Sequence, residues 1–316
     1  MVHWAENSRI GWRKMVSGTN DGEEDSVLAE LYAAPFRLSR PIRQTVPFVF
    51  ASPHAGRLYP PSFVEGSRLS AMSLRRSEDA YVEELFSDSV ELGAPFIAAR
   101  FPRAYLDANR APTELDTMMF DGALTVDFDP PSARVAAGLG VIPRIVRDGA
   151  EIYREKLSPE EAQARMTRLY RPYHNALAQL VADTYAQFGT CVVVDCHSMP
   201  SAAAIPEIVL GDRYGTSTVP GLMRRAEIAF ESHAFTVQRN VPYAGGYTTI
   251  HYARPARGIH AIQIEINRAA YLDEERIVPG TRFSDVRARV SAALSELVTI
   301  DHALLKPARD LPWAAE

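Results

Sequence analysis

The chain has 316 residues, of which 47% are hydrophobic and 23% charged, a composition that fits a globular protein and excludes a largely disordered chain. A formal net charge of −5 offers no electrostatic attraction for nucleic acid or an acidic membrane, so a small molecule is the expected partner. The sequence contains no run of about 18 apolar residues, the length that would predict a membrane span.

The N-terminal segment is polar and lacks the apolar stretch of a signal peptide. We predict a flexible tail over residues 1–26, a single domain over residues 27–316, a monomer or small homo-oligomer, and a cytoplasmic location. The only two cysteines are Cys191 and Cys196, and residues five apart on a strand face opposite sides. No disulfide is therefore expected between them.

Apolar runs that predict buried strands alternate with amphipathic segments that predict helices. Strands are predicted in "VPFVFASPHAG" (46–56), "APFIAARFP" with "AYLDANR" (94–110), "VVVDCHSMPS" (192–201), "PEIVLGDRYGTS" (206–217), "FTVQRNVPYAGGYTT" (235–249) and "GIHAIQIEINR" (258–268). Helices are predicted over 77–93, 158–188, 219–233 and 283–304. This interleaving predicts an α/β fold with a sheet covered on both faces.

Reactive side chains follow four of the predicted strands. They are His54, Asp107 with Asn109 and Arg110, His197, and Glu265 with Asn267 and Arg268. Histidines and a carboxylate from separate strand ends are the ligands of a catalytic zinc ion, which takes three protein ligands and leaves one position for water. The alternative is that each is a hydrogen-bonded structural side chain, since neither HExxH nor CxxC occurs.

The neighbours of these side chains allow two interpretations each. Asp195 shares a strand face with His197, so it either orients that imidazole or forms a buried ion pair. Cys196 points the other way and is better explained as a buried thiol than as a nucleophile. Arg103, Arg110 and Arg268 indicate an anionic substrate or surface ion pairs, and the glycine pair in "YAGGYTT" indicates a ligand cradle or a turn.

Six segments of the chain occur in the order found in one enzyme family. They are "SPHAGRLYP", "FPRAYLDANRAPTELD", "VVDCHSMP", "LGDRYGTS", "VPYAGGYTT" and "AIQIEINRAAYLD". Over residues 47–275 the chain closely resembles the N-formylglutamate amidohydrolases, which are related to zinc carboxypeptidases and to the aspartoacylase and succinylglutamate desuccinylase group. The resemblance implies a three-layer α/β/α sandwich around a mixed, largely parallel sheet of the zinc carboxypeptidase-like, phosphorylase/hydrolase-like type.

The resemblance also implies a reaction and a cofactor. The expected enzyme uses Zn²⁺, or another divalent transition metal, to hydrolyse N-formyl-L-glutamate to L-glutamate and formate in histidine degradation. His54 and His197 match two metal ligands. Zinc carboxypeptidases have a glutamate three residues after the first histidine, where this chain has Arg57, so Asp79 is our choice for the third ligand, with Glu78 as the alternative. Helix capping is the competing role for Asp79.

The remaining roles follow from the same resemblance. Glu265 matches the general base, and desolvation at its apolar strand end would raise its pKa. Asn109 and Arg110 resemble the Asn–Arg pair that holds the substrate carboxylate in carboxypeptidases. Arg103, Arg213 or Arg268 would bind the second carboxylate of the substrate or polarise the amide carbonyl. Three alternatives remain. The protein could deacylate another acidic N-acyl amino acid, act as a carboxypeptidase-like enzyme or cell-wall amidase, or be a metal-free binding protein on the same fold.

Overall fold

A computed structural model of the protein describes residues 21–146, 149–202 and 204–307. Helix α1 (Asp21–Ala33) begins within the segment predicted as a tail, and the rest of that prediction, residues 1–20, lies outside the described residues. Within the described ranges, no helix combines the length and the apolar character that a membrane crossing requires.

A mixed sheet of seven strands forms the centre of the protein. In chain order the strands are β1 (Phe36–Ser39), β2 (Phe48–Ser52), β3 (Phe96–Ala99), β4 (Cys191–Met199), β5 (Ile208–Gly211), β6 (Val237–Arg239) and β7 (Ile259–Asn267). Their order across the sheet is β1-β3-β2-β4-β7-β5-β6. Strands β3, β2, β4 and β7 run parallel, whereas β1 and β5 pair antiparallel with β3 and β7. A separate pair consists of β8 (Leu272–Asp273) and β9 (Val278–Pro279).

Helices cover both faces of this sheet. In addition to α1, the α-helices of the described residues are α2 (Pro61–Glu65), α3 (Ala71–Arg75), α4 (Val82–Leu85), α5 (Ala133–Ala136), α6 (Pro159–Arg165), α7 (Arg171–Phe188), α8 (Pro220–Ser232), α9 (Tyr247–Tyr252) and α10 (Phe283–Leu297). One apolar cluster joins β4 to α8 and α10, and a second joins its other face to α7. Consecutive residues of β4, such as Val193 and Val194, enter different clusters, as strand geometry requires. The predicted three-layer α/β fold is confirmed.

The long helix predicted over 158–188 is confirmed, with one π-helical turn at Met166–Tyr170. Its ends match the sequence signals: the Ser158 hydroxyl accepts the Glu161 N–H at 3.2 Å, and Gly189 ends α7 with φ 71°. The closing helix is shorter than predicted and ends at Leu297.

Two predicted elements near the sheet edge are wrong. The helix over 77–93 is reduced to the four residues of α4 and a 3₁₀ turn at Ser87–Ser89. Tyr81 has φ 64°, and Asp79 is drawn out of helical geometry toward the sheet, donating its N–H to His54 O at 3.1 Å. "AYLDANR" forms turns rather than a strand, since the Asp107 carboxylate accepts the Asn109 N–H at 2.9 Å and competes with strand pairing.

Candidate active site

The carboxyl ends of the adjacent parallel strands β2, β4 and β7 bring the predicted residues together. His54 lies two residues beyond β2, and His197 on β4 is the register partner of Glu265 on β7. A cavity of about 570 Å³ opens at this edge. Eight of the nine predicted site residues line it: His54, Asp79, Arg103, Asn109, Arg110, His197, Glu265 and Arg268. The ninth, Asp195, lies directly behind His197.

Two imidazoles and one carboxylate converge at the inner end of the cavity. Asp79 Oδ2 lies 2.8 Å from His197 Nδ1 and 3.3 Å from His54 Nδ1, and all three residues are buried. The three potential ligand atoms lie within 4.8 Å of one another. Two histidine nitrogens and a carboxylate oxygen are a donor set that suits Zn²⁺ and related divalent metals. We call these three residues the His–Asp–His cluster.

The two adjacent acids, Glu78 and Asp79, have different hydrogen-bond partners. Glu78 accepts hydrogen bonds from Tyr59 Oη at 2.7 Å and Arg75 Nε at 2.9 Å, which direct it away from the histidines. Asp79 faces them instead. The turn between α3 and α4 thus presents Asp79, and not Glu78, to His54 and His197.

A second carboxylate stands behind each histidine. His197 Nε2 lies 3.0 Å from Asp195 Oδ2, and His54 Nε2 lies 2.7 Å from Asp107 Oδ1. A carboxylate on the outer nitrogen fixes the ring orientation and leaves Nδ1 free for a metal. Asp195 occupies the position the sequence predicts. The sequence places Asp107 at a strand end without indicating its role behind His54, and its position in "LDANR" is the only local signal for it.

The carboxylates favour positive charge at this position. Burial raises the pKa of Asp79, but hydrogen bonds with His197 and His54 outweigh it and hold that pKa well below its usual range. Burial likewise opposes ionisation of Asp107, whose pKa is lowered by His54 and Arg103. Burial lowers the pKa of His197, yet Asp195 outweighs it and raises that pKa well above its usual value. The same carboxylates would attract a divalent cation that replaced the proton on a histidine nitrogen.

Glu265 is a buried carboxyl group poised near neutrality. Burial raises its pKa to about 7, against the attraction of His197 and with repulsion from Asp79 in support. Its Oε1 accepts a hydrogen bond from Gln263 Nε2 at 2.9 Å, whereas Oε2 has no hydrogen-bond partner in the part of the chain that the structure describes. Gln263 Oε1 in turn accepts the Gly246 N–H at 2.9 Å. Sequence reasoning missed Gln263, which shares a strand face with Glu265.

Asn109 is held by the protein on both sides of its amide. Its Oδ1 accepts the Thr248 N–H at 2.7 Å, and its Nδ2 donates to Asp195 Oδ2 at 2.9 Å. A Cβ on Gly246 would lie 2.5 Å from Asn109 Nδ2, so only glycine permits this close approach. Through these contacts Asn109 helps to hold Asp195 and His197 in place. A bound substrate could hydrogen-bond to Asn109 only by sharing its amide with these partners.

Several arginines line the cavity, and three of them already face an acid. Arg103 Nε lies 3.1 Å and Arg110 Nε 3.7 Å from Asp107 Oδ2. Arg268 donates from Nη2 to Asp79 Oδ1 at 3.0 Å and thereby orients a candidate metal ligand. Arg213 also lines the cavity. Guanidinium groups at this density favour an anionic ligand.

A buried carboxyl group with a pKa near 7 beside a His–Asp–His cluster, at the strand ends of an α/β sheet, is the arrangement of a hydrolytic enzyme. The family model described as N-formylglutamate amidohydrolase matches residues 46–272. The chain belongs to this family and is an amidohydrolase.

Individual relatives agree with this assignment. The chain is 29% identical over 265 residues to an N-formylglutamate deformylase of Pseudomonas aeruginosa, covering 81% of this chain and 92% of the relative. It is 28% identical over 262 residues to an N-formylglutamate deformylase of Pseudomonas putida, covering 80% and 91%. The crystal structure of an N-formylglutamate amidohydrolase from Ralstonia eutropha JMP134 matches with a TM-score of 0.79 and 33% identity, over 84% of this chain and 98% of that one.

Proposed function

We propose that this protein hydrolyses N-formyl-L-glutamate to L-glutamate and formate with the help of a bound divalent metal ion, Zn²⁺ being the first choice. The observation that carries the proposal is the position of Glu265 beside the His–Asp–His cluster in a cavity rich in arginine. The two Pseudomonas relatives are named N-formylglutamate deformylases, which supports this substrate.

His54 Nδ1, Asp79 Oδ2 and His197 Nδ1 would hold the metal ion, with Asp107 and Asp195 orienting the two imidazoles. A bound Zn²⁺ would polarise the formyl carbonyl and make water more acidic. Another divalent transition metal could use the same nitrogen and oxygen donors.

Glu265 would act as the proton shuttle of the reaction. Its unpartnered Oε2 accepts a proton from the water that attacks the formyl carbon, and the same carboxyl group then donates that proton to the departing nitrogen. The C–N bond breaks, the water oxygen remains on the formyl carbon, and formate and the free amine result. A pKa of about 7 suits both halves of this transfer at neutral pH.

The arginines beside Asp107 would bind the substrate near the amide. Arg110 lines the cavity with its buried Nε turned to Asp107 at 3.7 Å, so the other end of its guanidinium would meet a carboxylate. Arg103 is held at its Nε by Asp107 and keeps its terminal nitrogens for a ligand. Arg268, by contrast, acts mainly through Asp79.

Formate release by the purified protein tests the proposal. We expect turnover of N-formyl-L-glutamate that a chelator abolishes and added Zn²⁺ restores. A protein with full metal occupancy and no formate release would contradict the substrate. Faster turnover of N-acetyl-L-glutamate or N-formyl-L-aspartate would favour another acidic N-acyl amino acid, and release of a C-terminal residue from a peptide would favour a carboxypeptidase.

For the biological setting we propose histidine degradation in the cytoplasm, as the family resemblance implies. Deletion of the gene in its source organism should prevent growth with histidine as the carbon source when N-formylglutamate is the pathway intermediate. Unimpaired growth, with no accumulation of N-formylglutamate, would contradict this setting without affecting the chemistry.

A further inference from the structure

Arg213 occupies a strained position on the wall of the cavity. It follows β5 with a backbone φ of 55°, and its neighbour Tyr214 has φ 56°. Both values lie in the left-handed region, which side-chain-bearing residues adopt uncommonly and at a cost in free energy. Backbone strain of this kind persists where the surroundings hold it in place, and it occurs preferentially at ligand-binding positions.

A local hydrogen-bond network holds this conformation. Asn240 Oδ1 accepts the N–H groups of Asp212 at 3.0 Å and Tyr214 at 3.3 Å, and Asn240 Nδ2 donates to Asp212 Oδ1 at 2.8 Å. The Arg213 N–H donates to Ala244 O at 2.7 Å. The segment that carries Arg213 is therefore fastened to residues 240–244 and cannot move independently of them.

The glycine pair of "YAGGYTT" brings Arg213 close to the His–Asp–His cluster. A Cβ on Gly245 would lie 3.1 Å from Arg213 Cδ, and a Cβ on Gly246 would lie 2.5 Å from Asn109 Nδ2. Gly245 and Gly246 are consecutive residues, and their Cα atoms are therefore only about 3.8 Å apart. The backbone of this glycine pair is thus all that lies between Arg213 and Asn109. Asn109 Nδ2 in turn lies 2.9 Å from His197 Nε2.

Arg213 differs from Arg103, Arg110 and Arg268, the other arginines considered for the substrate, in having no counter-ion among the described residues. Arg103, Arg110 and Arg268 each lie within 4.0 Å of Asp107 or Asp79. Across the described ranges, no carboxylate lies within 4.0 Å of the Arg213 guanidinium, which donates only to Gly245 O at 3.3 Å. A partly buried guanidinium without an acid can bind an incoming carboxylate through two parallel N–H donors.

We propose that Arg213 binds the side-chain carboxylate of the substrate and so selects N-formyl amino acids with an acidic side chain. The inference rests on the proposed function and adds a residue that determines its specificity. A glutamyl substrate carries two carboxylates, and Arg110 with Arg103 forms one cationic position beside Asp107. Arg213, held on the other segment that borders Asn109, supplies the second.

The test compares Arg213→Met with wild type on N-formyl-L-glutamate and on its neutral isostere N-formyl-L-glutamine. We expect a KM for N-formyl-L-glutamate higher by roughly 10- to 100-fold, the range for a lost charge-assisted hydrogen bond, with little change in kcat. The KM for N-formyl-L-glutamine should not change, and Arg213→Lys, which keeps the charge without the fork, should be intermediate. Arg276→Met, at an exposed arginine that does not line the cavity, is the matched control.

Calorimetric binding of L-glutamate and L-glutamine decides the inference independently of turnover. Wild type should bind L-glutamate more tightly, and Arg213→Met should lose that preference while keeping its metal content. Arg213→Gly should lose it as well without a lower Tm, because glycine adopts the left-handed backbone readily. Equal affinity of wild type for both amino acids, no binding of either, or a preference that survives in both variants would overturn the role of Arg213. Absence of formate release alone would instead overturn the proposed function.

Discussion

The inner end of the cavity and its outer wall differ in how their polar groups are satisfied. At the inner end, both histidines, Asp79 and Glu265 are buried and each is held by at least one side chain. On the outer wall, Arg213 has no acid partner among the described residues and Tyr214 is 72% exposed. Groups that bind a metal ion or move a proton need a fixed orientation, whereas groups that recognise a ligand must keep bonding capacity for it.

This difference predicts distinct kinetic effects for the two regions. Changes at the inner end should reduce metal content or kcat, whereas changes on the outer wall should raise KM. Inner-end variants that altered only KM would break the comparison.

The largest effect is expected from His197→Ala, which removes one of three ligands. We expect the variant to lose bound metal and all measurable formate release, because two remaining ligands hold a divalent ion weakly. Metal analysis of the dialysed protein measures this directly. Cys196→Ala, a change at the next residue on the opposite face, is the control and should keep the metal. One equivalent of metal retained by His197→Ala would exclude His197 as a ligand.

Glu265→Gln should separate proton transfer from metal binding. The variant should keep its metal and lose roughly 10²- to 10⁴-fold in kcat, the usual contribution of a general base. In wild type the base must be ionised, so kcat/KM should rise with pH through about 7 and fall about tenfold per unit below it. Formate assays across this pH range measure both effects. An active Glu265→Gln enzyme with an unchanged pH profile would rule out this residue as the base.

Asp107→Ala tests the support behind His54. Loss of a carboxylate behind a ligating histidine should weaken metal binding about 10- to 100-fold, as measured by chelator competition. Asp116→Ala removes another ion-paired acid, the partner of Arg144 outside the cavity, and should leave metal affinity unchanged. Equal metal affinity in the two variants would show that His54 is oriented by other contacts.

Gln263→Met should have the smallest effect of the series. Without the amide N–H donor, Glu265 loses its orientation and a hydrogen bond that favours its charged form. We expect a decrease in kcat of roughly tenfold, the magnitude of one hydrogen bond to a charged group, with the acid limb of the pH profile moved upward. Gln238→Met on the exposed side of β6 is the control. Unchanged kcat and pH profile would leave Gln263 with a structural role only.

The comparison also explains which site residues could be found from the sequence. His54, His197 and Glu265 each follow or end an apolar run, and the carboxyl ends of neighbouring parallel strands meet at one edge. Asp195 could be predicted because strand periodicity places it on the same face as His197. These inferences need only local patterns.

Other features of the site depend on contacts that no local pattern contains. Glu78 and Asp79 are adjacent acids in the sequence, and they are distinguished only by Arg75 and Tyr59 on one side and the two histidines on the other. The predicted helix over 77–93 failed for the same reason, since contacts with the sheet draw Asp79 out of helical geometry.

By itself, the sequence determined the α/β class, the principal buried strands and the reactive side chains at their ends, because burial leaves a short-range periodicity in the chain. Only the tertiary structure decided that Asp79 meets His197 across 118 residues, that Asp107 supports His54, and that Arg213 is left without an acid among the described residues. Hydrogen bonding is directional and short in range, so these pairings exist only once packing has brought distant segments to within about 3 Å.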